Sequence, residues 1–563
     1  MKRKIDAPYM NTRSKHPKLV CNIPERKKIW VSSTDIRNYM RNDSLIDWLK
    51  LKNTLKTTFD PFSTFITERG KDFEKNIVQY IHTHIHPVIS ISDKITPESI
   101  EQTKQEINKG TPLIHSAPFV NNKNYTKGII DFLIRSDYLH LFTKQDKLST
   151  HPLYYVVLDI KFSTLPLRSD GIHLLNAGNY PFYKAQLWIY NQAISHLQKY
   201  TPRYSYILGR RYSYVKNKQN FNSIDCLDKI GVIDYQEVDN NYIEKTSQAI
   251  KWIRDLKRHG HTWSVNPPSR IELYPNMSVD SGIWNTKKKE IAEKIGDLTQ
   301  LWHCGIKNRK IALCNGIKSW KDNNCSSHTM GIYGKRASII DKIIDINRQE
   351  RDKIRPNKIL NNLFNWKVPE NEIFVDFETF TDIFSSFDTL PSQPKTDMIF
   401  MIGIYYNNKY INFTSNENSK QGEYDLLQRF VDFLSENNYP KMWHWHADRT
   451  IWEKSIKRHN SEWKLTNWAD LCQLFRTEPI VLKNCFKFGL KEIASAMKQH
   501  GFINTELTSK CHSGMEASIT AWKAYNEKCD IENDSRIKDI AIYNEFDVKV
   551  LWEILTYLRN QHT

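Results

Sequence analysis

The sequence predicts two α/β domains, each a mixed sheet flanked by helices with carboxylates at the sheet edge, joined by a helical connector. Three observations predict this. Two separate runs, residues 154–162 (YYVVLDIKF) and 372–380 (EIFVDFETF), are apolar, β-branched and aromatic, as buried strands are. Residues 245–350 between them read as mostly helical, and Pro356 and Pro369 bracket a linker. With 563 residues, the chain is also too long for one hydrophobic core. The expected division is a basic, loose arm at 1–29, a first α/β domain at 30–244, the connector at 245–370 and a second α/β domain at 371–563.

The totals narrow the partners. Hydrophobic residues at 40% and charged residues at 26% suit soluble globular domains. A formal net charge of +18 attracts polyanions, nucleic acid first and acidic membrane surfaces second. The start, MKRKIDAPYM, has a basic cluster without an apolar run, so it does not read as a secretory signal, and no stretch has the length of a membrane span. Nine cysteines without CxxC pairs argue for free thiols in a reducing compartment, cytoplasm or nucleus.

In the first half, three pieces come in order. Glu74 follows Gly70-Lys71-Asp72-Phe73 and opens a segment with Phe73, Ile77, Ile81 and Ile85 at helical spacing, which places it on or beside the buried face. Asp131 is the only charge in the apolar run 128–134, GIIDFLI. Asp159 and Lys161 are two apart on the 154–162 strand and so share a face. Three carboxylates and a lysine converging at a sheet edge can hold a hard divalent ion such as Mg²⁺ or Mn²⁺, which can activate water and offset charge on a phosphate. Isolated matches such as Glu25-Arg26-Lys27 and Asp255-Leu256-Lys257 carry no meaning; the ordered set does.

This set resembles the PD-(D/E)XK nucleases with their restriction-endonuclease-like fold, and within them the RecB-like exonucleases, over residues 30–215. That subgroup adds a Gln-x3-Tyr helix, matched by Gln186 and Tyr190 in FYKAQLWIYNQAI, which share a helix face. The resemblance implies that Glu74, Asp131 and Asp159 bind metal, that Lys161 assists catalysis, and that Gln186 and Tyr190 support the site and contact the DNA backbone. Ile130, in place of Pro, precedes Asp131. Some relatives carry an iron–sulfur cluster on one early and three late cysteines. Cys21, Cys304, Cys314 and Cys325 have that order, but their wide spacings argue against a cluster. The basic, Trp-containing segment 301–322 reads as a connector packing the halves together, or as a hairpin meeting phosphate.

In the second half, Asp376 and Glu378 lie on one face of the 372–380 strand, where two adjacent carboxylates call for a cation. Asp448 follows the aromatic run MWHWHA, with Asp470 in NWADLCQLF as a competitor. Tyr543 and Asp547 share the inward face of an amphipathic helix over 540–558 with Val550, Leu551 and Ile554. Asp530-Ile531-Glu532 is another acid pair, without such company. The ordered series resembles the DnaQ-like, RNase H-fold 3′–5′ exonucleases of the DEDD type. That implies Asp376, Glu378, Asp448 and Asp547 as ligands of two metals and Tyr543 as the group orienting the attacking water.

Two-domain proteins joining these modules occur among RecB-like proteins of bacteria, archaea and large DNA viruses, and the Lys-, Asn- and Ile-rich composition fits a viral source. The function expected is a metal-dependent nuclease cutting DNA, single-stranded or at duplex ends, as an exonuclease in repair, recombination or replication, with a helicase or recombination partner. The competing readings are a nucleic-acid-binding scaffold with inactive nuclease folds, and an RNA-processing 3′–5′ exonuclease.

Overall fold

A computed structural model of the chain describes residues 28–55, 60–144, 153–395, 397–463, 465–527 and 530–563. The arm expected at 1–29 falls outside them except for its last two residues, and Cys21 falls outside with it. Among the described residues, no helix is long and apolar enough to cross a membrane.

The first half contains β1 (Val31–Ser32), α1 (Arg37–Met40), α2 (Leu45–Leu51), α3 (Pro61–His84), β2 (Ile89–Ser90), α4 (Pro97–Lys109), β3 (Leu113–Asn121), β4 (Thr126–Arg135), β5 (Tyr155–Pro166), α5 (Tyr180–Gln198), β6 (Tyr204–Lys216), β7 (Gln219–Ser223), β8 (Gly231–Asp234) and α6 (Asn241–His259). Its sheet runs β2-β3-β4-β5-β6-β7, with β1 beside β4 and β8 beside β6. The β5–β6 and β2–β3 pairs are parallel, and β3–β4, β4–β5 and β6–β7 antiparallel. Alternation along β5 divides its neighbours. Val156, Leu158 and Ile160 pack with Phe73, Ile77 and Ile81 of α3, while Val157 packs with Leu187, Ile189 and Tyr190 of α5. Asp159 and Lys161 have the parity of Val157 and therefore sit on the α5 side.

Helix α3 starts well before Gly70. Asp60 accepts a hydrogen bond from the Ser63 amide at 3.2 Å and Pro61 occupies the first turn, a strong start signal. Gly70 inside the helix costs about 1 kcal/mol relative to Ala, too little to break a helix anchored by Phe65, Phe73, Ile77 and Ile81.

The span read as a connector contains α7 (Asn285–Ile295), α8 (Ile306–Cys314), α9 (Lys335–Arg348) and β9 (Ile354–Arg355). Its packing is divided. Trp252, Leu273, Trp284 and Ile291 join the core of the first half. Leu298, Trp320, Ile340, Ile344 and Trp366 join the largest core of the second. The segment 301–322 thus packs mainly into the second half. Within it Cys304 is buried with its Sγ 3.8 Å from Met330 Sδ, and Cys314 is exposed.

The second half contains β10 (Glu372–Phe380), β11 (Met398–Tyr406), β12 (Lys409–Thr414), α10 (Lys420–Glu436), β13 (Lys441–His444), α11 (Asp448–His459), β14 (Trp468–Asp470), α12 (Leu471–Thr477), β15 (Val481–Leu482), α13 (Leu490–Gln499), α14 (Gly514–Asn526) and α15 (Ser535–Gln561). The sheet order is β12-β11-β10-β13-β14, with the first three strands antiparallel and β13 and β14 parallel to β10 and to each other. Strand β10 is central. Ile373, Val375 and Phe377 pack toward Leu427 and Phe430 of α10 and Trp452 of α11. Phe374 and Phe380 belong to the opposite face, with residues of α14 and α15, so Asp376 and Glu378 face those helices.

The halves share side chains. Phe65 of α3 lies in the second-half core beside Phe384, with ring centroids 5.5 Å apart. Phe387, from the loop after β10, lies in the first-half core 5.6 Å from both Phe73 and Phe162. Between these anchors the Arg69 guanidinium donates to the carbonyls of Ile383 and Ser385 and stacks 4.2 Å over Phe387. Asp382 accepts from Arg210 at 2.6 Å and from Arg211. Asp382→Ala leaves two buried guanidiniums without their carboxylate, and removal of one member of such a pair costs about 3–5 kcal/mol. The expected result is an earlier urea unfolding midpoint; an unchanged midpoint contradicts the assigned role of this bridge.

Candidate active sites

The second half brings together three carboxylates. Asp376 and Glu378 project from β10 toward α15, which presents Asp547, and oxygens of the three lie within 4.8 Å of one another. Glu378 and Asp547 are 5% and 6% exposed. Water cannot screen charges so placed. Burial first, then Asp547, Asp448 and Glu378, push Asp376 well above the usual carboxylate range. Burial and Asp547 push Glu378 up to about 8. Burial also raises Asp547, to about 6, with the Lys491 ammonium opposing it. Asp547 Oδ1 is buried without a hydrogen-bond donor. An all-oxygen set with an unpartnered buried oxygen fits a hard divalent cation, and among the described residues no other group of three or more His, Cys, Asp or Glu side chains gathers this closely.

Asp448 is buried at the first residue of α11, beside the triad but outside its closest set. Its Oδ1 accepts from the Phe377 amide at 3.3 Å, and its Oδ2 lies 3.5 Å from His444 Nδ1. The competitor Asp470 is a helix cap: its Oδ1 accepts from the amides of Gln473 and His446, both at 3.2 Å. Tyr543, one turn before Asp547, is buried, and its hydroxyl accepts from Lys491 Nζ, which lies 4.1 Å from the ring centroid.

Three contributors escaped the reading of the sequence. Asn544 Nδ2 donates to Asp376 Oδ2 at 2.8 Å, and Asn544 Oδ1 accepts from the Tyr410 hydroxyl at 3.1 Å. Its spacing of three from Asp547 was a usable signal. Gly403 stands opposite Asp376 on β11, and a Cβ there would lie 1.5 Å from Asn544 Oδ1. A glycine inside an apolar strand marks such an approach. Lys491 comes from α13, about fifty residues from its partners, and no local pattern announced it.

In the first half, Asp131, Asp159 and Lys161 meet. Lys161 Nζ is 2.5 Å from Asp159 Oδ2 and 3.5 Å from Asp131 Oδ2, and Asp131 Oδ2 also accepts from the Ile160 amide at 2.9 Å. Asp159 is fully buried, and burial and Asp131 raise its carboxyl well above the usual range. Burial alone lowers Lys161, but Asp131 and Asp159 outweigh it and hold the ammonium well above its ordinary value. The helix pair predicted at Gln186 and Tyr190 is formed: Gln186 Nε2 donates to the Tyr190 hydroxyl at 2.8 Å, which also accepts from Ser33 Oγ at 3.1 Å. Gly128 makes room for this ring, since a Cβ there would meet Tyr190 at 2.9 Å. Glu74 is placed apart from this trio, with its Oε1 3.1 Å from His115 Nε2.

Residues 374–559 match the family model RNase_H_2, described as RNase_H superfamily. The C-terminal half is an RNase H-like domain. The matched interval holds Asp376, Glu378, Asp448, Tyr543 and Asp547, so the acidic cluster belongs to a nuclease-type fold. No curated protein matches the chain.

Two outcomes follow from the geometry of the RNase H-like site. Gly403→Ala displaces Asn544 and with it Asp376; Mn²⁺ affinity measured by calorimetry should fall at least about tenfold, roughly the 1.4 kcal/mol of one hydrogen bond to a charged group, with the far-ultraviolet circular dichroism unchanged. Unchanged affinity contradicts the assignment. Asp547 and Glu378, at about 6 and about 8, bind more protons in the fold than in the unfolded chain from about pH 4 to 8. Stability in chelator should therefore decrease as pH rises through that window. Glu378→Gln should flatten the trend in thermal melts; an equal slope in wild type and variant contradicts it.

Proposed function

We propose that the chain is a divalent-metal-dependent nuclease with two active sites, acting on DNA as an exonuclease in repair, recombination or replication. The observation that carries this reading is the close triad of Asp376, Glu378 and Asp547, the last two buried and the first half-buried, in an RNase H-like domain. A binding scaffold would gain nothing from three unscreened carboxylates that destabilise one another.

Asp376, Glu378 and Asp547 would hold the ion, with Asp448 completing the set from the start of α11. When bound, Mg²⁺ or Mn²⁺ supplies activation of water and neutralisation of charge on the phosphate oxygens. Asn544 fixes the rotamer of Asp376. Lys491 donates to the Tyr543 oxygen, which leaves the hydroxyl hydrogen to donate to the Asp547 carboxylate, so Tyr543 would position that carboxylate. The 3′–5′ polarity follows from the resemblance to DEDD exonucleases.

For the first half we propose a RecB-like PD-(D/E)XK site. Asp131 and Asp159 would bind the metal, Lys161 would steady the charge that builds on the phosphate, and Gln186 and Tyr190 would brace the site from α5. Glu74, on α3 and paired with His115, stands outside this proposed set. Support comes from the convergence of Asp131, Asp159 and Lys161 on one sheet face.

End-labelled single- and double-stranded DNA, with matched RNA, incubated with Mg²⁺ or Mn²⁺ tests this. Asp376→Ala and Asp159→Ala should each abolish a different activity, by at least about a hundredfold, and chelator should abolish both. Wild-type protein that binds DNA but cuts in neither metal, or single variants that both cut like wild type, would sink the reading.

A further inference from the structure

Strand β6 and strand β7 form a hairpin closed by Asn217 and Lys218, both at positive φ (51° and 65°), the backbone of a tight two-residue turn. The hairpin presents a ladder of rings. Tyr214 and Phe221, paired across the strands, stack with centroids 4.9 Å apart and planes 9° from parallel, and Tyr212 continues the series 6.2 Å from Tyr214 at 23°. Phe221 is 38% exposed although it sits at the edge of a well-formed sheet. These rings line a groove of about 660 Å³ between the hairpin, the far end of β5 and the loop after β10.

The charge of the groove is one-sided. Arg168 and the exposed Lys395 line it, Lys216 and Lys218 are exposed at the hairpin tip, and none of the four forms an ion pair among the described residues. Its one carboxylate, Asp382, is held by Arg210 and Arg211. The groove also shares a strand with the first-half carboxylate site. Thr164 and Pro166 of β5 line it, three and five residues beyond Lys161 on the same strand, a separation of roughly 10–17 Å at strand rise.

We infer that this groove binds single-stranded nucleic acid, a base stacked on the outer, Phe221 face of the Tyr214–Phe221 pair and phosphates along Arg168 and Lys395, and feeds the strand toward Asp131, Asp159 and Lys161. The last step rests on the nuclease reading; the binding does not. A flexible strand offers π-faces to the rings, which a duplex keeps inside its own stack, and aromatic faces in a basic groove are how single strands are held without sequence preference. Interface cores between proteins are depleted in lysine, so the lysines flanking these rings favour a polyanion.

The test is fluorescence anisotropy of labelled oligo-dT, oligo-rU and a blunt duplex of equal length, in chelator, so that no cleavage enters. Stacking contributes about 1–3 kcal/mol per base, so Tyr214→Ala/Phe221→Ala should weaken single-strand binding at least about tenfold while duplex binding changes less than about twofold. The exposed Lys395→Glu, which removes no core contact, should weaken it at least about threefold with unchanged thermal melting. Weakening of dT alone assigns the groove to DNA, and of rU alone to RNA; either supports it. Single-strand binding within twofold of wild type for a folded ring variant and for Lys395→Glu, or equal loss of duplex binding, overturns it. Because binding is read in chelator, where no strand is cut, failure of the groove and failure of the nuclease reading are separable.

Discussion

Asp376, Glu378 and Asp547 place carboxylate oxygens within 4.8 Å of one another, where like charges repel, and the elements of the C-terminal half that meet there hold them in place. The triad exists because β10 is the middle strand of its sheet, because period-two alternation turns both its acids to one face, and because α15 crosses that face with Asp547 inward. The neighbours follow from the same demand. Asn544 hydrogen-bonds Asp376, Gly403 gives Asn544 its space, and Lys491 places a positive charge beside Tyr543. Each lowers the cost of the cluster without cancelling it, and the set could hold a divalent cation.

The first half meets the same repulsion with its own cation. Lys161 sits between Asp131 and Asp159 and shares their sheet face. That difference gives the two sites different electrostatic characters: one has an ammonium in contact with its two carboxylates, the other a trio whose nearby ammonium, Lys491, is bound to Tyr543 instead. They are also mechanically joined. Helix α3, which bears Glu74, sends Phe65 into the second-half core, and the loop leaving β10 sends Phe387 into the first-half core. Arg69, Arg210 and Arg211 secure that loop. The two sheets are thus joined through buried side chains as well as through the connecting chain.

Both strands with spaced charges were legible in the sequence because strand alternation is local: Asp159 with Lys161, and Asp376 with Glu378, are assigned to a face by counting to two. The pairs Gln186–Tyr190 and Tyr543–Asp547 were legible for the same reason on helices. What the sequence hid was set by long-range geometry. The partnership of Glu74 with His115 joins residues 41 apart, and Lys491 reaches Tyr543 across 52. The division of the helical span between two cores was hidden as well, since a helix period shows that one face is buried but not against what. Asp470, a fair rival to Asp448 by pattern, is occupied as a helix cap, a role that only the next helix defines.

We propose Asp376, Glu378 and Asp547 as a divalent-cation site. Crystals soaked in excess Mn²⁺ and measured at a wavelength that gives manganese anomalous scattering test it directly. The expected result is an anomalous peak bounded by these three carboxylates and absent in Asp376→Ala crystals grown alike. Well-ordered crystals without a peak there, or with manganese bound only elsewhere, would contradict it.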